Sequence, residues 1–285
     1  MKIAVTGYKG RIGSRLIALG AVPLVSDVTD LDAVRRELEI SQPDVVVHAA
    51  SISSIAECET NLDKAILVNL RGTNHICQAM WEVKKSRKVV LLSTEQVFDG
   101  KKGNYSEEDE PFPINDYGRT KFGAEVVAKN LYGCKVIRLS RGVSAEIGKD
   151  IHKYLFKLRG GEEIHVPDFL VRSYSHLDFL AYAIWDYAID FDAMPEMLHI
   201  GGASSVSFYQ FMLTISSKFG LDHSLVRPRS TEIPDHPRPF NCGFNVSRAQ
   251  SLGIPIYSLN ATVEKLKEEY ERLQSLNRNP NLQQV

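Results

Sequence analysis

Short apolar runs alternate with amphipathic stretches through the first half of the chain, and this alternation limits the fold more than any other feature. The apolar runs span residues 2–6, 44–51, 89–92 and 136–140, and a further one begins at Val22 and reaches about Ser26. The segments between them carry apolar residues at helical spacing. Strands that alternate with helices predict an α/β fold with a doubly wound parallel sheet. Such sheets bind ligands at the carboxyl ends of their strands.

The overall composition excludes several classes of protein. The 285 residues carry a formal net charge of -1 and are 44% hydrophobic, so the chain can bury a core but has no excess charge for nucleic acid or an acidic membrane surface. No apolar run approaches the roughly 18 residues of a membrane span, and the start, MKIAVTGYKG, lacks the apolar region of a signal peptide. We therefore expect a cytoplasmic protein with no nucleic-acid or membrane partner.

The cysteines and histidines show no metal-site spacing. The four cysteines, at positions 58, 77, 134 and 242, form no C-x-x-C pair, and the eight histidines form no H-x-x-x-H pattern. We expect reduced thiols and no structural metal.

Three glycines, Gly7, Gly10 and Gly13, follow the first strand directly in GYKGRIG. A strand, a glycine turn and a helix in this order are typical of a phosphate-binding turn. The first glycine allows the tight turn, the second lets the backbone approach a pyrophosphate, and the third lets helix and strand pack closely. The spacing is G-x-x-G-x-x-G instead of G-x-G-x-x-G, and an ordinary strand-to-helix turn is the alternative.

Asp27 ends the second strand, 20 residues after Gly7, where a carboxylate on the adenosine ribose is expected. Because this segment is short, we interpret Asp27 and the neighbouring Val28 as adenosine contacts, which do not distinguish NAD from NADP. Lys9 and Arg11 could reach a 2′-phosphate, or they could be solvated charges on the turn.

The third strand ends in small residues, Ala49, Ala50 and Ser51, which leave room for a flat ligand against the backbone. We expect His48 to be a satisfied core histidine. Asn69 stands among apolar neighbours in the next helix, so it is either a buried amide bonded to backbone or a cofactor contact.

The strand at 89–92 presents Ser93 and Thr94 at its carboxyl end, and Tyr117 and Lys121 follow in a predicted helix. Their i,i+4 spacing puts the phenol and the ammonium on one helical face. An unperturbed tyrosine titrates near ~10, and an adjacent positive charge lowers that pKa. A tyrosine poised in this way can hand a proton to a carbonyl oxygen that Thr94 orients. Tyr-x-x-x-Lys also occurs by chance, so its weight depends on the other motifs.

Together these motifs resemble the extended short-chain dehydrogenase/reductases, and within them the dTDP-4-dehydrorhamnose reductase family. The similarity covers most of the chain. It runs through KIAVTGYKGRIG, DVTD, PDVVVHAAS, VNLRGTN, LLSTEQVFDG, YGRTKFGAE and VIRLSRG, and then through RSYSHLDFLA and LHIGGASSVSFYQF. The resemblance implies a Rossmann domain that binds NADP or NAD and a smaller C-terminal α/β lobe that binds a nucleotide-linked sugar. We place the Rossmann domain at 1–145 plus 172–203, the lobe at 146–171 plus 204–275, and a frayed tail at 276–285.

The resemblance also implies roles for individual residues. Tyr117 would be the general acid, Lys121 would bind the nicotinamide ribose and lower the pKa of Tyr117, and Thr94 would orient the keto oxygen. The expected cofactor-binding residues are Gly7, Lys9, Gly10, Arg11, Ile12, Gly13, Asp27, Val28, Ala49, Ala50, Ser51, Asn69, Ser93, Tyr117 and Lys121. The expected substrate contacts are Glu95, Gln96, Arg141, Arg172 and Arg238. Of these, Arg172 and Arg238 are candidates for the diphosphate because guanidinium suits bidentate phosphate contact, although either could form an ordinary ion pair.

Several positions depart from the family pattern. Related reductases read S-T-D-Y-V-F where this chain has STEQVF, and related 4,6-dehydratases read T-D-E with the glutamate as a base. Gln96 stands in the place of that base and has no useful basicity, which disfavours dehydration. Arg141 takes the place of an aromatic residue that often borders the sugar, with an exposed arginine as the alternative. Ala56 replaces an aspartate, while Glu59 remains.

The sequence therefore predicts an NAD(P)H-dependent reductase of a nucleotide-linked 4-keto-deoxysugar. Two alternatives stay open. One is a nucleotide-sugar epimerase that retains NAD. The other is a non-catalytic NADP-binding regulatory subunit, since proteins that resemble the family include a regulatory subunit of methionine adenosyltransferase. The nucleotide, the sugar and the oligomeric state also stay open, with a homodimer as one expectation.

Overall fold

The fold is that of a computed structural model, which describes residues 1–83, 87–132, 134–148, 150–231 and 235–278. The strands are β1 (Ile3–Thr6), β2 (Val22–Pro23), β3 (Val45–His48), β4 (Lys88–Thr94), β5 (Lys135–Leu139), β6 (Gly142–Val143), β7 (Ile164–Pro167), β8 (Val171–Arg172), β9 (Ser175–His176), β10 (Met197–Ile200), β11 (Val206–Ser207) and β12 (Val226–Arg229). The α-helices are α1 (Gly13–Ala18), α2 (Leu31–Ser41), α3 (Ile55–Thr60), α4 (Leu62–Ala65), α5 (Gly72–Val83), α6 (Asp116–Tyr132), α7 (Asp150–Arg159), α8 (Leu177–Ile189), α9 (Phe208–Lys218), α10 (Ser247–Ser251) and α11 (Leu259–Arg278). A π-helical turn spans Ile66–Arg71, and 3-10 turns span Glu95–Val97, Phe191–Ala193 and His223–Leu225.

Six of the strands form one sheet in the order β10-β5-β4-β3-β1-β2, and every pair in it is parallel. This arrangement confirms the α/β prediction. Because all six strands point the same way, their carboxyl ends lie along one edge of the sheet. The glycine turn, the small residues after β3 and the Ser93–Thr94 end of β4 therefore share that edge.

Both faces of the sheet are covered, which is why its strands are almost continuously apolar. Ile3 and Val5 pack with α1 and α8 on one face, whereas Ala4 packs with α2, α5 and α6 on the other. The same alternation continues through β3 and β4. Helices that cover both faces leave only the strand ends open to a ligand.

The second strand is shorter than its sequence suggested. It ends at Pro23, whereas the apolar run reaches about Ser26. The N–H groups of Val25 and Ser26 donate to the Glu37 carboxylate, at 2.7 and 2.9 Å, instead of to a neighbouring strand. A side chain on α2 thus ends the strand, and the prediction of a longer strand was wrong.

The long helix predicted after β3 is divided into α4, the π-helical turn and α5. Asn69 lies inside the π-helical turn. Just after it, a Cβ on Gly72 would stand 2.7 Å from the Val28 Cγ2 atom, so glycine allows this close approach to the loop after β2. π-helical turns often occur at functional positions.

A separate apolar cluster lies in the second half of the chain. It joins side chains of α7, β7, α9 and α11, such as Leu155, Val166, Phe211 and Leu266. The domain boundaries drawn from the sequence stay a prediction. The predicted frayed tail lies largely outside the described residues, as does Pro234 of the proline-rich loop.

Membrane-spanning helices and clusters of metal-ligating side chains are both absent from the described residues. No helix there is long and apolar enough to cross a membrane. Within the same ranges, no group of three or more histidine, cysteine, aspartate or glutamate side chains is arranged to hold a metal ion.

Candidate active site

The glycine turn between β1 and α1 has no space for side chains. Gly7 has a φ of 64°, a left-handed conformation that favours glycine, and a Cβ there would lie 2.7 Å from the Ala50 N atom. A Cβ on Gly13 would lie 2.2 Å from the Gly7 carbonyl oxygen, and one on Gly10 would lie 3.0 Å from the same atom. The bare backbone of this turn is the geometry that a pyrophosphate needs for close approach.

The charged residues around the turn have protein partners. Lys9 is exposed and lies 5.4 Å from the centre of the Tyr8 ring, and the Arg11 guanidinium donates to the Gly142 carbonyl at 3.1 Å. The exposed Asp27 carboxylate accepts hydrogen bonds from the Thr29 N–H and hydroxyl, at 2.9 and 2.8 Å. These bonds hold the pKa of Asp27 below its ordinary value. Asp27 thus shapes its own loop, and its predicted contact with adenosine stays a prediction.

The end of β3 is fixed by Thr6. Its hydroxyl accepts from the N–H groups of Ala49 and Ala50, at 3.1 and 3.2 Å, and lies 2.7 Å from His48 Nδ1. His48 Nε2 lies 3.1 Å from the Thr73 hydroxyl. Burial lowers the pKa of His48 to about 3, and the nearby Lys121 charge adds to this. His48 is a neutral core histidine, as predicted.

Asn69 is fully buried, and its amide is engaged by the protein. It accepts from Ile52 N–H at 2.8 Å and donates to the Ile52 carbonyl and the Thr120 hydroxyl, both at 3.0 Å. Both amide N–H groups are thereby used. This arrangement favours the buried amide over the cofactor contact among the two interpretations of Asn69.

Thr94 and Tyr117 meet at the carboxyl edge of the sheet. Thr94 is the last residue of β4, Tyr117 lies in the first turn of α6, and the Thr94 hydroxyl is near enough to the Tyr117 phenol to lower the pKa of that phenol. The Asn115 side chain accepts from Gly118 N–H at 2.8 Å and so caps the start of α6. A Cβ on Gly118 would stand 2.1 Å from the Gln96 carbonyl oxygen. This glycine, which the sequence reasoning did not single out, lets α6 approach the end of β4.

Burial shifts the pKa values of both Tyr117 and Lys121. Burial raises the pKa of Tyr117 to about 12, against the lowering effect of the Thr94 hydrogen bond, and the Glu95 charge raises it further. Burial also lowers the pKa of Lys121 to about 8. The groups that shift the Tyr117 pKa here include Thr94, Glu95 and Cys58, and the lowering by Lys121 that the resemblance implies stays a prediction. A phenol with this pKa is protonated at neutral pH, which is the state that a proton donor requires.

The two residues after Thr94, Glu95 and Gln96, also lie at the carboxyl edge of the sheet. Glu95 and Gln96 are both buried, and Glu95 Oε1 accepts from Arg172 Nε at 3.0 Å and from Gln96 Nε2 at 3.3 Å. Two oxygens here, Ser93 Oγ and Glu95 Oε2, are buried without a hydrogen-bond partner among the described residues. Unpartnered buried polar atoms are rare in proteins, and at a sheet edge they indicate that a ligand completes the site.

The three arginines predicted to touch substrate are placed differently. Arg172 is buried and forms four hydrogen bonds, to Glu95 and to the carbonyls of Val171, Pro239 and Phe240. A guanidinium has five N–H groups, so at most one stays available for a phosphate. Arg141 and Arg238 are exposed. Arg238 directly precedes the Pro239 carbonyl that Arg172 holds.

The chain is similar to known proteins over most of its length. The family model described as "RmlD substrate binding domain" matches residues 1–272. The spore coat polysaccharide biosynthesis protein SpsK of Bacillus subtilis is 28% identical over 281 residues, covering 94% of this chain and 97% of that protein. A dTDP-4-dehydrorhamnose reductase of Mycobacterium tuberculosis is 28% identical over 252 residues, covering 84% of this chain and 82% of that protein.

A solved structure has the same fold. The dTDP-4-dehydrorhamnose reductase of Bacillus anthracis, crystallised in complex with NADP, superimposes with a TM-score of 0.86. It covers 94% of this chain and 100% of its own, at 24% sequence identity. At this level of identity the likeness concerns the fold.

Proposed function

The chain belongs to the RmlD substrate binding domain family, and from this premise we propose that it is an NAD(P)H-dependent reductase of a nucleotide-linked 4-keto-deoxysugar. Its relatives include dTDP-4-dehydrorhamnose reductases, and the substrate class follows from them. The observation that carries the proposal is the close approach of the start of α6, which bears Tyr117, to the end of β4, which bears Thr94, at the carboxyl edge of the sheet.

Tyr117 and Thr94 act on the keto oxygen of the sugar. A carbonyl oxygen gains negative charge as hydride reaches its carbon, and two hydroxyl donors stabilise that charge. Tyr117 then transfers its proton to the oxygen, since its phenol is protonated at neutral pH. Thr94 is held by the end of β4 and keeps the oxygen in line with the phenol.

The residues at the edge fit a nicotinamide dinucleotide. The side-chain-free turn at Gly7, Gly10 and Gly13 suits a pyrophosphate, and the unpartnered Ser93 hydroxyl faces the same edge. The dinucleotide supplies hydride when bound. Lys121 would hold the nicotinamide ribose hydroxyls through its ammonium. Lys9 and Arg11 are the candidates for contact with the 2′-phosphate that distinguishes NADP from NAD, and the choice between the two cofactors stays open.

The substrate side is assigned to Glu95, Gln96, Arg141 and Arg238. Glu95 offers one unpartnered carboxylate oxygen to a sugar hydroxyl, and Arg172 holds that carboxylate in place. The exposed Arg238 is the better placed of the two diphosphate candidates, because Arg172 has four protein partners. Gln96 cannot remove a ring proton, so the site supports simple reduction instead of elimination.

Three further expectations belong to the same proposal. We propose a cytoplasmic location, a homodimer, and a division into the Rossmann domain and the nucleotide-sugar lobe at the boundaries given above.

Purified protein tests the proposal against its two alternatives. We expect NADPH oxidation when dTDP-4-dehydrorhamnose is added, with NADP and NAD exchanging freely with solvent. Stoichiometric NAD that stays bound through purification, together with inversion of a sugar carbon without net reduction, would favour an epimerase. NADP(H) binding without reduction of any keto-sugar nucleotide in a panel would favour a regulatory subunit.

A further inference from the structure

One arginine beside the glycine turn is bonded to four separate parts of the chain. Arg15 lies on α1, two residues after Gly13, and its side chain is 15% exposed. Its Nε donates to Asp178 Oδ1 at 2.9 Å, and its Nη2 donates to Glu146 Oε1 and Glu269 Oε1 at 3.0 and 3.2 Å. These carboxylates belong to α8, to the segment after β6 and to α11, and they lie 131 to 254 residues from Arg15 in the sequence.

The fourth hydrogen bond of Arg15 reaches the glycine turn itself. Its Nη1 donates to the Arg11 carbonyl oxygen at 2.8 Å, and the Ser14 hydroxyl lies 3.4 Å from the same oxygen. No backbone N–H of the described residues donates to this oxygen. The orientation of the Arg11 carbonyl therefore depends mainly on the Arg15 guanidinium.

The same bond fixes the N–H group of the next residue, Ile12. A peptide unit is planar and trans, so its carbonyl and its N–H point in opposite directions. Ile12 stands between Gly10 and Gly13, and its N–H donates to no acceptor within the ranges that the structure describes. Arg15 thus sets the direction of a backbone donor at the place where this turn allows a pyrophosphate to approach.

The carboxylates hold the guanidinium from its other side. Glu269 is itself fixed, because its Oε2 accepts from the Ala145 N–H at 2.5 Å and lies 3.2 Å from His176 Nε2. A guanidinium is planar and has five N–H groups, and Arg15 uses four of them. Charge-assisted bonds of this kind are strong and directional. The position of Glu269 therefore determines where Arg15 can hold the turn.

A second contact joins residue 11 to the same region. The Arg11 guanidinium donates to the Gly142 carbonyl of β6, at 3.1 Å. Gly142 lies a few residues before Ala145 and Glu146, which contact Glu269 and Arg15. The turn is thus attached through both the side chain and the carbonyl of Arg11.

Resting on the function proposed above, we propose that Arg15 is a positioning residue that couples dinucleotide binding at the glycine turn to the docking of α11, through Glu269. Arg15 does not touch the dinucleotide. It holds the turn in the conformation that binds the pyrophosphate. Because coupling between two sites is reciprocal, a bound dinucleotide also strengthens the docking of α11.

Arg15→Met tests the first half of the proposal, since it removes all four bonds and keeps an apolar stem. We expect the Kd for NADPH, measured by fluorescence titration, to rise by about fivefold or more, which is the lower end of the usual coupling between sites. The KM for NADPH should rise with it, whereas kcat and the KM for the sugar nucleotide should stay within a few-fold. Partial unfolding would instead lower the apparent kcat and leave the KM for NADPH unchanged.

Glu269→Gln tests whether α11 acts through this arginine. A carboxamide has one oxygen, whereas Glu269 accepts bonds on both of its oxygens, so the variant loses part of its hold on Arg15. It should raise the Kd for NADPH in the wild-type background and have no further effect in Arg15→Met, where the bond between the two residues is already absent. Glu269→Gln alone decides the matter if Arg15→Met does not fold.

Glu264→Gln is the matched control, because Glu264 lies on the same helix but pairs with Lys218 at the surface. It should leave the Kd for NADPH unchanged.

The inference is overturned if Arg15→Met binds NADPH as tightly as the wild type. It is also overturned if Glu269→Gln leaves the Kd unchanged, or raises it equally with and without Arg15. In each case the wild type still binds and oxidises NADPH, so the proposed function stands. Wild-type protein that binds no dinucleotide would contradict the proposed function, and the inference with it.

Discussion

Tyr117 and Thr94 form the pair of hydroxyls on which the proposed reaction depends. Replacing Tyr117 by phenylalanine removes the proton donor and keeps the ring that fills the site. We expect Tyr117→Phe to lower turnover by roughly a hundredfold or more, since general acid catalysis contributes about that much. Steady-state reduction of a 4-keto sugar nucleotide measures the loss, and NADPH binding by fluorescence should be unchanged.

Tyr132→Phe is the control for this change. Tyr132 lies at the other end of α6, where its hydroxyl lies 3.2 Å from Asn74 Oδ1. It should retain turnover within a few-fold. Near-normal turnover in Tyr117→Phe would contradict the assignment of the general acid.

The sequence showed which residues meet at the sheet edge, but not their charge states. The spacing of Tyr117 and Lys121 follows from helical geometry alone, and Thr94 follows from the end of an apolar run. Burial sets the two pKa values, and it depends on how the whole site packs. Arg172 was predicted to bind phosphate because guanidinium suits bidentate phosphate contact. Its buried partner Glu95 is 77 residues away, beyond the reach of any local sequence pattern.

The close packing of the turn between β1 and α1 predicts that a side chain at Gly13 weakens NADPH binding. A methyl group on Gly13 would lie 2.2 Å from the Gly7 carbonyl oxygen, so Gly13→Ala must push the helix away from the strand. Overpacking of this kind costs about 1–3 kcal/mol, and we expect NADPH binding to weaken by roughly tenfold or more. Titration of the protein with NADPH measures the effect.

Gly160→Ala serves as the control, because a Cβ there would be 3.3 Å from the nearest atom and the residue lies in a loop after α7. NADPH binding should be unaffected by it. If Gly13→Ala binds NADPH as tightly as the wild type, the dinucleotide does not lie on this turn.

Elements of secondary structure were predictable where apolar periodicity was strong. The apolar runs at 2–6 and 136–140 fall within one residue of β1 and β5. The end of β2 and the π-helical turn before α5 were not predicted, because both depend on contacts between residues far apart in the sequence. Glu37 takes the N–H groups that would have continued β2, and Asn69 forms bonds to the loop after β3 from within the π-helical turn.

Across the whole molecule, Glu269 joins the C-terminal helix α11 to the glycine-turn side of the sheet. Its carboxylate accepts from Ala145 N–H at 2.5 Å and from Arg15 Nη2 at 3.2 Å, and it lies 3.2 Å from His176 Nε2. Burial alone would raise the pKa of Glu269, but the hydrogen bonds from His176 and Ala145 and the Arg15 charge hold it below its ordinary value. The charged carboxylate therefore stabilises the folded protein.

This pKa predicts how stability depends on pH. A carboxyl whose pKa is lower in the folded state stabilises the protein above its unfolded pKa, and this contribution is lost as the pH falls through the folded value. We expect Glu269→Gln to lower the free energy of unfolding at neutral pH by about 2 kcal/mol, with the difference shrinking in acid. Urea unfolding at a series of pH values measures both.

Glu264→Gln, on the same helix, removes an exposed carboxylate that pairs with Lys218, and it should change stability little at any pH. If the free energy of unfolding of Glu269→Gln differs from that of the wild type by the same amount at neutral and at acid pH, then the lost packing matters and the charge does not.

In the proposed reaction, hydride passes from the cofactor to the keto carbon of a nucleotide-linked sugar. The most direct measurement uses NADPH with deuterium at both positions of its reactive ring carbon and dTDP-4-dehydrorhamnose as substrate, with mass spectrometry and NMR of the product. We expect a released product that carries deuterium on the carbon that bore the keto group and one NADP formed per product, with both formed far more slowly by Tyr117→Phe. A product without deuterium, or an epimerised sugar formed without consumption of NADPH, would contradict it.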